Sequence, residues 1–400
     1  MRFSGLLLFS AILFSATTKT AADDFKIELQ TVASGYDGKS CWVHARAGAI
    51  PAGAPGNASD TPLVVMTMQR LRVDRSDVFS GLWDLRSADL GRSWSKPVEQ
   101  PGLRRVSPRA GVDLVACDFW PTWHAASGKL LGTGATFAYS LPNEDHLDAE
   151  PGFTAYSVYD PAKENWSEWR RLKMPDNPEF GFSRAGCSQR VDLPNGEILL
   201  PIYFRTFKGK TYTATVARCR FEGETLSYVE HGDELTVPIA RGISETSLAR
   251  VGERFYLTLR NDERGYVTSG ADGLHFDEPR PWKFDDGADL GSYNTQTHWT
   301  QHGDTLYLIY TRKGAKNDHV FRHRAPLFIA EVDRERLVVR RATERVLIAE
   351  RGAGLGNFGV TQISPDETWV IATEWMQPKT AVDHGSDNSV YVAKVKWTKR

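Results

Sequence analysis

Ser87-Ala88-Asp89-Leu90-Gly91-Arg92-Ser93-Trp94 is a hairpin turn written in full. The serine and the aspartate can bond the turn's own backbone, the glycine takes the strained position, and the tryptophan can plug back into the sheet. Weaker versions follow at Asp160 to Trp166, Phe221 to Leu226, Ser269 to Phe276 and Val332 to Leu337. Their separation, roughly 50–70 residues, is the period of a four-stranded blade with variable loops. Divided at that period, the chain gives about six units, and the spacing also admits seven. Phe25–Val32 is then left over as a lone strand that closes the ring against the last blade.

Outward from the turn, the chain reads as short strands rich in β-branched and aromatic residues. They fall at Phe25–Val32, Trp42–Ile50, Leu63–Gln69, Val78–Leu85, Leu130–Phe137, Thr154–Tyr159 and Ile198–Phe204, then at Thr211–Cys219, Phe255–Leu259, Thr305–Tyr310, Leu327–Val332, Trp369–Glu374 and Val390–Trp397. No long segment of 3.6-residue period competes, so the fold class is all-β, a six-bladed β-propeller. No linker divides residues 23–400, which read as one domain. Lys plus Arg against Asp plus Glu is 49 against 50, a balance that leaves no footprint for nucleic acid or an anionic membrane.

Met1–Ala22 has the form of a secretory signal: Arg2, the apolar run Leu6–Phe14, then Thr20-Ala21-Ala22 before Asp23. The expectation is a secreted or periplasmic protein, with no membrane association after cleavage. Cys41, Cys117, Cys187 and Cys219 are far apart and form no CxxC pair, which argues against zinc. No cofactor is expected; Asp285-Asp286 could hold calcium only structurally. No GxSxG, HExxH or P-loop pattern occurs, and Gly354–Gly359 lacks the lysine and helix of a phosphate loop.

The SxDxGxxW turn resembles the Asp-box of the sialidase (neuraminidase) superfamily, and the resemblance extends over most of the chain. It implies a site at the central mouth, where three arginines clamp a substrate carboxylate. An aspartate serves there as acid/base, and a glutamate assists a tyrosine nucleophile. Position by position, Arg46 in HARAGAIP resembles the first arginine, Asp77 the acid/base, Glu245 in SETSL the glutamate and Arg260 in LTLRND the second arginine. For the third, Arg322 and Arg324 in FRHRAPLFIAEVD both fit, with Arg324 preferred. Glu245 and Arg260 are expected on neighbouring strands, facing one mouth. The tyrosine departs from the pattern. No Tyr lies between Tyr310 and Tyr391, and the nearest equivalent stretch, GLGNFGVTQISPDETW, offers Asn357, Phe358 and Thr361.

An arginine fork binds a carboxylate through two parallel charge-assisted bonds, so arginines gathered at one mouth point to an acidic oligosaccharide or polysaccharide. Three activities remain open. One is hydrolysis of a terminal acidic sugar of the exo-α-sialidase type. A second is elimination next to a uronic acid, which needs no tyrosine nucleophile. For it His44 or His124 would be the base and Arg190 or Arg46 the neutraliser, His44 sharing a strand face with Arg46 at i, i+2. The third is glycan binding without catalysis.

Overall fold

The computed structural model describes residues 24–147 and 150–398. The segment read as a secretory signal lies outside them. Six antiparallel sheets follow one another along the chain. The first blade is Ser40–Ile50, Leu63–Arg72, Phe79–Ser87 and the short outer strand Val98–Glu99. The second is built on Val112–His124, Lys129–Ser140 and Thr154–Asp160, and the third on Phe182–Arg184, Glu197–Arg205, Thr213–Glu222 and Thr225–His231. The fourth runs through Ser244–Val251, Arg254–Arg260 and Tyr266–Gly270, the fifth through His298–His302, Thr305–Tyr310 and Leu327–Asp333. In the sixth, Gly359–Ser364, Glu367–Thr373 and Val390–Trp397 accept Phe25–Ala33 as their outermost strand. The chain is a six-bladed β-propeller, closed as the sequence predicts.

The strand Phe25–Ala33 pairs antiparallel with Val390–Trp397, starting at Phe25 opposite Trp397. Phe25 also packs edge-on against Tyr307 of the fifth blade. At the Ser87–Trp94 turn, Ser87 Oγ donates to Asp89 Oδ1 and accepts from Gly91 N, while Ser93 donates to Asp89 through both its amide and its hydroxyl. Leu90 and Gly91 are both left-handed. The turn reaches the sixth blade: Trp94 packs on Trp369, and Lys394 Nζ donates to the Leu90 carbonyl. The second-blade version sends Trp166 into the core, its indole N–H donating to Asp84.

The strands read from sequence are mostly middle and outer ones. The inner strands of the second to sixth blades are additional: Val112–His124, Phe182–Arg184, Ser244–Val251, His298–His302 and Gly359–Ser364. They border the axis and carry polar residues among apolar ones (Asp118, Glu245, His298), which breaks the alternation that marks a half-buried strand. Below the mouth the axis is filled by Arg46, Trp120, His298 and Phe358. His298 meets Trp120 and Phe358 edge-on, both at 4.7 Å between ring centres. All four cysteines are free and buried. Asp285 and Asp286, the candidate calcium pair, are taken by Arg341: its backbone amide donates to Asp285 and its guanidinium to Asp286. Among the described residues no helix is long and apolar enough to cross a membrane.

Candidate functional site

A cavity of about 490 Å³ opens at one end of the axis, a size that suits a sugar-sized ligand. Each blade contributes to it. His44, Asp118, Cys187 and Glu245 come from the first to fourth inner segments, Arg322 and Arg324 from the fifth blade's long loop, and Gly354, Gly356 and Asn357 from the approach to the sixth. Asp77 stands on the loop joining two first-blade strands, and Trp375 and Phe137 supply aromatic wall.

Backbone strain concentrates here. Seven lining residues that are not glycine have left-handed φ: His44, Asp77, Asp118, Cys187, Arg241, Glu245 and Arg322. Each such residue costs roughly 1–3 kcal/mol, so the rest of the fold must impose the conformation. In three inner strands the cause is a register shift, between Val43 and Arg46, between Cys117 and Trp120, and between Ser244 and Ser247. A bulge of this kind re-aims a side chain along the strand. It turns His44, Asp118 and Glu245 up into the mouth.

His44 Nε2 lies 3.2 Å from Asp118 Oδ1, and Arg46 Nη1 approaches the same oxygen at 3.7 Å. The Cys187 thiol donates to Asp118 Oδ1 at 2.9 Å. Burial alone would raise the Asp118 carboxyl, but His44, Arg46 and Cys187 outweigh it and hold it below the usual carboxylate range. Burial, with help from Arg46, keeps the His44 imidazole below its usual range against the pull of Asp118. Burial and Asp118 push the Cys187 thiol well up against the pull of Arg46, so it is a thiol rather than a thiolate nucleophile. Gln69 fixes the other side of the imidazole. Its amide nitrogen donates to the Ser80 and Ala116 carbonyls, leaving Oε1 to face His44 Nδ1 at 3.4 Å.

Glu245 and Arg260 meet as expected from adjacent strands, Ser244 lying opposite Arg260 in register. Arg260 Nη1 ion-pairs with Glu245, and both side chains are nearly buried. Arg260 Nη2 donates to Asn294 Oδ1, and Arg324 Nη2 donates to the same oxygen, both at 3.2 Å. Asn294 therefore holds two guanidinium groups side by side. Among the described residues Arg324 has no carboxylate within ion-pair reach, and its buried Nε has no hydrogen-bond partner. Burial, then Arg260 and Arg322, push its pKa down to about 9. Gly356 packs against it: a Cβ there would lie 2.9 Å from Arg324 Cδ.

Of the residues singled out from sequence, His44, Asp77, Glu245, Arg260 and Arg324 line the cavity. Arg46 does not. The bulge after Val43 breaks the i, i+2 alternation, so Arg46 lies fully buried beneath His44, donating to the Phe358 carbonyl and to Cys187 Sγ. His124 and Arg190 stand apart from the mouth. His124 is held between Ser127 and the Gly196 carbonyl, and Arg190 between Asp192 and the Leu131 and Thr122 carbonyls. In the stretch without tyrosine, Asn357 reaches the cavity and Phe358 is fully buried under it. Sequence reasoning passed over Asp118, Cys187, Arg241 and Asn294. The signal for Asp118 was present: a carboxylate set directly between the apolar Leu114–Cys117 and the aromatic run Phe119-Trp120-Pro121-Thr122-Trp123.

No protein-family model matches the sequence, and no curated protein matches it. Solved structures do. A protein of unknown function from Dyadobacter fermentans matches with TM-score 0.58 at 14% identity, over 92% of this chain and 99% of that one. A Hadza microbial sialidase matches with TM-score 0.61 at 11% identity, over 89% of this chain and 66% of that one. The Trypanosoma rangeli sialidase in complex with sialic acid matches with TM-score 0.56 at 12% identity, over 92% and 58%. The fold is sialidase-like. This chain spans two-thirds or less of the length of those two sialidases.

Proposed function

We propose that this protein is an exported carbohydrate-active enzyme that takes a terminal acidic sugar into the central cavity and hydrolyses its glycosidic bond, in the manner of an exo-α-sialidase. The observation that carries this reading is Arg324: a cation with no carboxylate in ion-pair reach among the described residues, held by Asn294 beside Arg260 and adjoining Arg322, facing a sugar-sized space. A ligand carboxylate is the counter-ion this arrangement lacks. Asp77 is the lining carboxylate with no ion pair among the described residues, only the Ser76 hydroxyl donating to it. It is the proposed acid/base. Glu245, braced by Arg260, is the carboxylate proposed to orient the attacking water, in place of an assisted tyrosine.

The lyase reading draws less support. His124 is outside the cavity, and His44 is buried in its wall, hemmed in by Asp118, Gln69 and Asn357. Incubation with sialyllactose and with glucuronate-capped oligosaccharides separates the readings. Free sialic acid released by the wild type, and lost in Glu245→Gln and Asp77→Asn, is the expected result. New ultraviolet absorbance from an unsaturated uronate would transfer the site to elimination. Binding without either product would leave a glycan-binding propeller.

A further inference from the structure

Beside the main cavity, and sharing Asp77, Asp118, Phe137, Arg241 and Glu245 with it, is a second pocket of about 180 Å³. The third blade builds its far wall. In that sheet Phe182 lies opposite Arg205, and Arg184 opposite Tyr203. Phe182 and Arg184, two residues apart on one strand, therefore share a face with their partners. The Arg205 guanidinium lies 3.7 Å from the centre of the Phe182 ring, and Arg184 sits 4.7 Å from that of Phe137 and 5.2 Å from that of Phe182.

Neither arginine has a carboxylate within ion-pair reach among the described residues. Arg205 Nη1 donates to the Thr206, Phe207 and Gly209 carbonyls, which fixes the plane of the group without neutralising it. The buried Arg184 Nε has no hydrogen-bond partner. The acidic residues on the shared rim do not fill this role: Asp118 is engaged by His44 and Cys187, Glu245 by Arg260, and Asp77 accepts from the Ser76 hydroxyl and ion-pairs with neither arginine. Two flattened cations on an aromatic wall, without counter-ions among the described residues, form a receptor for an oxyanion.

We infer that this pocket is a second anion subsite, so that the ligand is an oligosaccharide carrying two negative groups, the second a sulfate or a carboxylate. The inference rests on the proposed reading of the main cavity, because one ligand is taken to span both. Calorimetric titration at fixed ionic strength, with sialyllactose, a sulfated sialyllactose and a disialylated oligosaccharide, tests it. Every protein compared, the wild type at positions 184, 205 and 324 included, carries Asp77→Asn so that the ligands are bound and not hydrolysed. The wild type is expected to bind at least one dianionic ligand roughly tenfold more tightly than sialyllactose, the scale of one added charge-assisted bond pair. Which of the two gains identifies sulfate or carboxylate. Arg184→Gln/Arg205→Gln should erase the preference and leave sialyllactose affinity unchanged, whereas Arg324→Met should weaken all three ligands. If the double variant does not fold, each single variant should lose part of the preference. A wild type without preference, or a double variant that retains it, overturns the subsite even where dependence on Arg324 upholds the main cavity. Dianionic binding that needs Arg184 and Arg205 but not Arg324 upholds the subsite and overturns the cavity reading.

Discussion

Arg324 lies beside two other arginines, held by the side-chain and backbone oxygens of Asn294, and burial with their repulsion brings its pKa to about 9. An arginine in this position opposes folding while it waits for an anion. Between about pH 9 and the ordinary guanidinium range the unfolded chain binds more protons at this position than the folded one. Stability from this residue therefore rises with pH in that window, and below it the cost is constant. Ligand binding runs the other way: affinity for an acidic sugar should fall as pH rises through about 9, because the empty site loses the cation it offers. Arg324→Met should weaken binding by roughly tenfold or more, as expected for lost charge-assisted bonds, while its melting temperature equals or exceeds that of the wild type. Titrations from pH 7 to 10 and paired melting curves check both. A variant that binds normally, or one that melts well below the wild type, would show that Arg324 braces the fold and does not receive the ligand. Arg260 differs. It is paired with Glu245 in a nearly buried site, and removing either partner of such a pair costs about 3–5 kcal/mol. Activity lost in Arg260 or Glu245 variants is therefore read beside their melting curves, and Asp77→Asn, which breaks no ion pair among the described residues, is the cleaner test.

At the scale of elements, the turn Ser87–Trp94 gives a stability device that can be read by pH. The Ser93 hydroxyl and amide, then Ser87, hold the Asp89 carboxyl down at about 2. A depressed carboxyl contributes stability in full above its unfolded pKa and loses it as pH falls through the folded value. The melting-temperature gap between wild type and Asp89→Asn should therefore be constant above about pH 4 and close as pH drops toward 2. A gap that persists unchanged at low pH would mean that the amide disrupts the turn by geometry alone. This turn was legible because its chemistry is local: four residues bond one another within a single reversal. Middle and outer strands were legible for a similar reason: Thr305–Tyr310 is an unbroken apolar and β-branched run, and Val390–Trp397 is one whose only polar residues, Lys394 and Lys396, keep the two-residue alternation of a strand. The inner strands were not. Their bulges place His44, Asp118 and Glu245 by long-range packing around the axis, and a left-handed φ at a histidine or glutamate leaves no mark in the sequence. For the same reason spacing could bring Glu245 and Arg260 together across one hairpin, yet could not distinguish Arg46 beneath the floor from Arg324 in the mouth.

At the scale of the whole molecule, the ring has one non-sequential joint. Every other blade is made from consecutive chain, but the sixth borrows Phe25–Ala33 and pairs it with Val390–Trp397 in eight aligned residue pairs. The joint also carries side-chain ties around the ring: Phe25 against Trp397 and Tyr307, and Arg345 donating to the Phe25 carbonyl. The mouth depends on this closure. Asn357 and Gly356, which meet His44 and Arg324 respectively, lie on the approach to the sixth blade, and Gly359 packs directly on Arg46 of the first. Deleting residues 24–33 would leave Val390–Trp397 as an uncovered edge with buried faces, a template for pairing with another chain. The shortened protein should lose the single cooperative melting transition, self-associate in sedimentation, and bind acidic sugar weakly even though no cavity residue has been removed. An engineered cross-link tests the converse, since Ile27 and Val395 stand opposite each other in the pairing register. Replacing both with cysteine and oxidising the pair should raise the melting temperature and leave sugar binding intact. A truncated chain that remains monomeric, melts in one step and binds normally would show that the ring is held shut by the blade-to-blade cores, with the borrowed strand only a cover over the outer edge.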